Sequence, residues 1–98
     1  VKYAPTARAQ IADLRRHYRR KQRPEAVQGL AAALRAAEQQ ISANLPGLPA
    51  PRPYPELAAP GEAWVQCGRY WIAYTTSHPP VILAVFYDAA DIPGRKPA

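Results

Sequence analysis

A single cysteine, Cys67, stands in the whole chain, so an internal disulfide framework is excluded. No cluster of Cys and His has the spacing of a zinc site, and neither a metal nor any other cofactor is expected. No apolar run approaches the ~20 residues that a membrane-spanning helix needs. No stretch has the character of a signal peptide, so the cytoplasm is the expected compartment and no membrane partner is expected. Methionine is missing even from position 1, and a trimmed N-terminus is expected. Acidic residues are scarce too: 7 Asp+Glu face 13 Lys+Arg, a formal charge of +6. Such an excess suits contact with nucleic acid, an anionic surface or an acidic protein, or else a solvated helix face.

What is present describes one small globular domain. The 98 residues are 48% apolar and 20% charged, too hydrophobic for a disordered chain. The 12 prolines gather mostly between Pro46 and Pro60 and at the tail, outside the periodic segments, and there is no internal repeat.

Val1-Lys2-Tyr3 is a stub that fits the end of a strand. Pro5 and Thr6 open a helix that continues to about Lys21, with Ala7, Ile11, Leu14 and Tyr18 as its apolar stripe. Arg15, Arg16, Arg19, Arg20 and Arg23 fall on another side and form a cationic arc. Arg23-Pro24 ends that helix and Pro24-Glu25 starts a second. Its stripe is Val27, Leu30, Leu34, Ala37 and Ile41, extended by Leu45, and Asn44 supplies a C-terminal stop. Two helices so close in sequence predict a helix hairpin over about 5–44. Glu38, beside the second stripe, is expected to pair with an Arg of the first helix.

Residues 45–61 are a Pro-rich connector, extended and lying over the domain. Residues 62–87 form a β-meander: Glu62 to Cys67, a tight turn at Gly68, Arg69 to Thr76, then Val81 to Tyr87. Alternation puts Tyr70, Ile72 and Tyr74 on one face and Trp71 and Ala73 on the other. The unbroken apolar run Val81 to Phe86 predicts an interior strand, and residues 88–98 form a tail. The expected class is α+β, a helix hairpin packed on a small antiparallel sheet.

Tyr3-Ala4-Pro5-Thr6-Ala7, Pro24-Glu25-Ala26, Tyr54-Pro55-Glu56-Leu57, Gly68-Arg69-Tyr70-Trp71-Ile72-Ala73-Tyr74 and Asp91-Ile92-Pro93 occur in an order that resembles the ParE/RelE superfamily of toxins from type II toxin-antitoxin systems. The resemblance covers nearly the whole chain and is nearest to the ParE branch. It implies a toxin that inhibits DNA gyrase and is neutralised by a cognate antitoxin, itself partly disordered when free. In that reading the protein is not an enzyme and no catalytic residue is assigned. Arg69, Tyr87, Asp91 and Arg95 become candidates for target binding. Arg15, Arg16, Arg19, Arg20 and Arg23 become the face for antitoxin or target.

Members of the RelE branch instead cut mRNA on the ribosome, which requires cations around the phosphate and a group that moves the 2′-hydroxyl proton. The last strand here runs Ala84-Val85-Phe86-Tyr87-Asp88, apolar or acidic where basic residues would serve that chemistry. The ParE branch has Arg, His and Arg where this chain has Ala84, Tyr87 and Ala90. A RelE-like mRNA interferase and a small basic nucleic-acid-binding domain are the alternatives. His17, His78 and Cys67 have no partner at telling spacing and are expected to be structural or surface residues, and Trp64 and Trp71 to pack the sheet.

Overall fold

A computed structural model describes residues 1–89 and 92. The chain is α+β: a short strand and two helices are followed by three more strands, and the four strands form one mixed sheet. Strand β1 (Lys2–Tyr3) leads directly into α1 (Pro5–Arg20), and α2 (Pro24–Ser42) follows after three residues. Each helix starts with Pro at its first position, where the missing N–H has no intrahelical partner to lose.

Both helices stop by the same device. Gln22 (φ 54°) and Asn44 (φ 62°) adopt the left-handed conformation just past the helix ends. The amides beyond turn back: Gln22 to the Arg19 carbonyl and Arg23 to Tyr18, then Asn44 to Ile41 and Leu45 to Gln40. These pairs satisfy carbonyls that would otherwise lack partners. Asn tolerates this conformation, whereas Gln carries a steric penalty there. Gln22→Gly is therefore expected to raise stability by about 1 kcal/mol. Urea unfolding checks this, and an unchanged midpoint would mean that the turn carries no strain.

The sheet order is β1-β4-β3-β2, with β2 (Glu62–Cys67), β3 (Tyr70–Thr75) and β4 (Val81–Tyr87) antiparallel in sequence order. The fully antiparallel expectation needs correction, because β1 runs parallel to β4, pairing Lys2 with Val81 and Tyr3 with Ile82. A strand that enters a helix at once and must still reach the interior strand meets it in this direction. Gly68 (φ 57°) supplies the positive φ of the two-residue β2–β3 turn, and Arg69 lies in that turn rather than in β3.

β4 is interior, as its apolar run predicts. Ile82 and Val85 face the helices while Ala84 and Phe86 face away. The register shifts after Ala73–Ala84 to Tyr74–Ile82, leaving Leu83 as an extra residue that turns to the far face.

Two hydrophobic layers result. The helix-side core joins Ala7, Ile11 and Tyr18 of α1 with Leu30, Leu34, Ala37 and Ile41 of α2 and with Val65, Ile72 and Val85 of the sheet. Leu14 and Val27 pack at its margin. Leu45 does not extend the stripe: it is 53% exposed, because the left-handed Asn44 has already turned the chain away.

On the opposite face Trp64, Trp71, Ala73, Ala84, Phe86 and Ile92 form a second cluster, with Leu48, Tyr54 and Leu57 of the connector against it. Trp64 stacks on Phe86 at 6.2 Å between centroids. Leu48 exchanges two backbone hydrogen bonds with Trp64, of 2.8 and 2.7 Å, which closes that part of the β2 edge. The connector is not wholly extended, since Pro55–Leu57 makes a 3₁₀ turn. Among the described residues no helix is long and apolar enough to cross a membrane.

Candidate functional site

The end of the helix layer overhangs the sheet and leaves an open groove of about 1120 Å³. One wall is the flank of α1, with Gln10, Asp13, Leu14 and His17. Another is the start of α2, with Glu25, Ala26 and Gly29. The floor is the turn of the β2–β3 hairpin and the end of β4: Gly68, Arg69, Tyr70 and Val85 to Tyr87.

Three tyrosines organise the floor. Tyr18 closes the apolar stripe of α1 and Tyr70 begins the helix-facing row of β3, so their polar tips meet at the rim of the core. Their hydroxyls lie 2.5 Å apart, which lets two buried phenols satisfy each other. Burial first, then the Tyr18 hydroxyl, pushes the Tyr70 phenol well above its ordinary range. It therefore stays neutral throughout the physiological range. Tyr70 also meets the ring of Tyr87 edge-on, at 5.9 Å and 70°.

Arg69 and Tyr87, two of the sequence candidates, are brought together across the ladder. Tyr87 pairs with Tyr70, and the Asp88 amide donates to the Arg69 carbonyl at 2.8 Å. From the turn, Arg69 Nη1 donates to the Tyr87 hydroxyl at 2.9 Å. This bond and the nearby Asp88 carboxylate strengthen the hold of Arg69 on its proton. Both Arg69 and Asp88 are exposed. The site thus offers a fixed cation with a phenol and an acid beside it. Asp91 and Arg95 lie outside the described residues. Their neighbour Ile92, 0% exposed, is seated in the second cluster on the far face of the sheet.

The cationic arc is divided. Arg15, Arg16, Arg19 and Arg20 are exposed on α1, but Arg16 pairs with Asp13 one turn earlier. Arg23 is not on that helix at all. It forms the N-cap of α2, and its Nε donates to Glu25 Oε1 at 3.2 Å. The Glu25 carboxyl lies below its ordinary range because its own backbone amide and then Arg23 donate to it. Exposed pairs of this kind contribute little to stability. Asp13, Arg16, Arg19 and Arg20 surround a second, shallower hollow. Glu38 does not pair with an arginine of α1 as expected: it accepts a hydrogen bond from the Tyr3 hydroxyl at 2.8 Å, tying β1 to α2. Burial and that carboxylate raise the Tyr3 phenol far above its ordinary range.

Sequence reasoning missed three features of the site: the places of His17 and Gln10 and the contact between Tyr18 and Tyr70. His17 is exposed as expected, yet it lines the groove with its ring edge-on to Tyr18 at 5.8 Å. Gln10 accepts a hydrogen bond from the Val85 amide at 2.8 Å, where β1 has ended and, among the described residues, the outer edge of β4 has no neighbouring strand. The Tyr18–Tyr70 contact had a signal, since a phenol at the end of an apolar row requires a partner. The other two depend on which edge of the sheet α1 crosses, and the helical period says nothing of that.

Cys67 is buried and its thiol pushed up by that burial, which fits a structural residue. Trp64 and Trp71 pack the sheet as expected. Among the described residues no group of three His, Cys, Asp or Glu is placed to hold a metal ion. No family model matches this chain, and no curated protein matches it.

Proposed function

We propose that this chain is the toxin of a type II toxin-antitoxin module, ParE-like, which inhibits DNA gyrase and is held inactive by a cognate antitoxin. The observation that carries the reading is the groove at the end of the helix pair, with the Arg69–Tyr87 pair fixed at its floor. A rigid, exposed guanidinium between two turns suits a carboxylate of a protein target. The arrangement of a helix hairpin laid on a β-meander is the one that the sequence resemblance implies. Arg15, Arg19 and Arg20, exposed on α1, give an acidic, partly disordered antitoxin a surface to fold upon. The outer edge of β4, where Gln10 meets the Val85 amide, offers such a segment strand pairing.

His17 on the same groove as Tyr87 and Arg69 favours a second reading, RelE-like cleavage of mRNA, in which it would move the 2′-hydroxyl proton. Against it, the transition state of phosphate cleavage carries more negative charge than a bound carboxylate and needs several cations around it, whereas Arg69 has Asp88 beside it and Glu25 on another wall of the groove.

Inducible expression in bacteria, with purified protein in a gyrase supercoiling assay and a ribosome cleavage assay, tests the two. Growth arrest and gyrase inhibition with intact mRNA are expected. Arg69→Ala should weaken inhibition about tenfold or more, the loss of one charge-assisted contact. Tyr87→Phe should weaken it less, since the guanidinium remains. Cut mRNA with unaffected gyrase would overturn the gyrase reading in favour of the second.

A further inference from the structure

Each glycine of the chain that the structure describes has an internal reason except one. Gly61 and Gly68 have positive φ, and a side chain on Gly47 would strike Tyr74. Gly29 has neither: it lies inside α2 with ordinary helical φ, and a Cβ there would meet nothing within 4 Å. A helix interior is where glycine is least favourable after proline, and alanine is the best replacement. This same helix uses alanine almost everywhere else that a small residue is tolerated, at Ala26, Ala31, Ala32, Ala33, Ala36 and Ala37. The fold therefore gains nothing from Gly29 and would gain from alanine. Gly29 opens onto the groove, beside Ala26 and across from the Gly68–Arg69 turn.

We infer that Gly29 is a specificity-determining position of this groove: it leaves a bare helix wall so that a segment of the protein target packs directly against the backbone of α2. The occupant is a polypeptide with a carboxylate for Arg69, which the charge of +6 and the fixed guanidinium favour. A side chain at 29 would hold that segment away from the wall and from Arg69. The inference rests on the proposed gyrase-directed activity and names the position that limits what the site admits.

The experiment compares wild type, Gly29→Ala, Gly29→Leu and, as a control on the solvent side of α2, Ala32→Leu. Thermal melts and gyrase inhibition are measured for each. Gly29→Ala is expected to melt roughly 2–8 °C higher than wild type, from its helix propensity alone. Gly29→Leu is expected to fold and to lose gyrase inhibition about tenfold or more, as a displaced interface does, while Ala32→Leu inhibits like wild type. Full inhibition by Gly29→Leu would overturn the inference and leave the gyrase reading intact. A lowered melting temperature for Gly29→Ala would also overturn it, since glycine would then serve the fold. A folded wild-type protein that does not affect gyrase would take down the reading and the inference together.

Discussion

Trp64→Ala is expected to lower stability by about 3–5 kcal/mol, the range for deleting a fully buried aromatic side chain. A chain of this size has about 5–15 kcal/mol in all, so much of the population would be unfolded at modest urea concentrations. The expectation follows from what this one ring holds together. It is 0% exposed and stacks on Phe86 of β4, and it shares its cluster with Leu48, Tyr54 and Leu57 of the connector and with Ile92 beyond the sheet. Ala50 and Pro51 of the connector are buried as well. Facing Trp64 the connector's backbone is held by the two bonds with Leu48, and its other backbone bonds to the sheet, from Glu62 to the Ala59 carbonyl and from Thr76 to that of Gly61, lie at its very end; Arg52, which sits 6.0 Å over Trp71 and donates to Gln66 at 3.5 Å, is exposed. The backbone bonds survive in the alanine variant, so the experiment reads the loss of the side chain. Urea unfolding followed by the fluorescence of Trp71 provides the measurement. A loss below about 1 kcal/mol would show that the connector covers this face without being bound to it.

Gly47→Ala is expected to cost about 1–3 kcal/mol, an overpacking penalty for adding a single methyl group. The cause is space and not backbone freedom. The new Cβ would collide with the Tyr74 hydroxyl and stand 3.0 Å from the Trp64 carbonyl oxygen and 3.2 Å from Ala63 Cβ. Two of these three neighbours belong to the β2 backbone or to its first side-chain atom and cannot move without shifting the strand. The Tyr74 hydroxyl can be removed, so Gly47→Ala in a Tyr74→Phe background should recover part of the loss. A double-mutant cycle would report a coupling of about 0.5 kcal/mol or more between the sites. Additive losses would mean that the backbone, and not the phenol, sets the limit. The same substitution at Gly29 is expected to stabilise, by about 0.5–1 kcal/mol. Two glycines that look alike in the sequence thus respond with opposite signs, and only the neighbours of each Cβ distinguish them.

Both helices were legible because their signals are local. Apolar residues three and four apart marked the stripes, and Pro5, Pro24 and Asn44 marked starts and a stop within a residue or two. β2 and β4 were read at their observed bounds, and the two faces of β3 followed from alternation alone. The unbroken run in β4 correctly indicated an interior strand. Of the candidate site, Arg69 and Tyr87 were named individually, but their contact was not foreseeable from spacing 18 residues apart. The fully antiparallel sheet, the pairing of Glu38, the reach of the second stripe to Leu45, the grouping of Arg23 with the arc of the first helix and the wholly extended connector were expectations that failed. The first two concerned which distant groups would meet.

The sequence by itself determined where helix and strand begin and end and which side of each is apolar. These depend on dihedral preferences and on periods of 3.6 and 2, which act over a few residues. Only the tertiary structure decided that β1 lies parallel to β4, that the connector and Ile92 roof the second face, and that α1 reaches across β4 to bring Gln10 and His17 to the groove. Those choices are settled by burying both faces of one sheet at once, a condition that no short window of the chain contains.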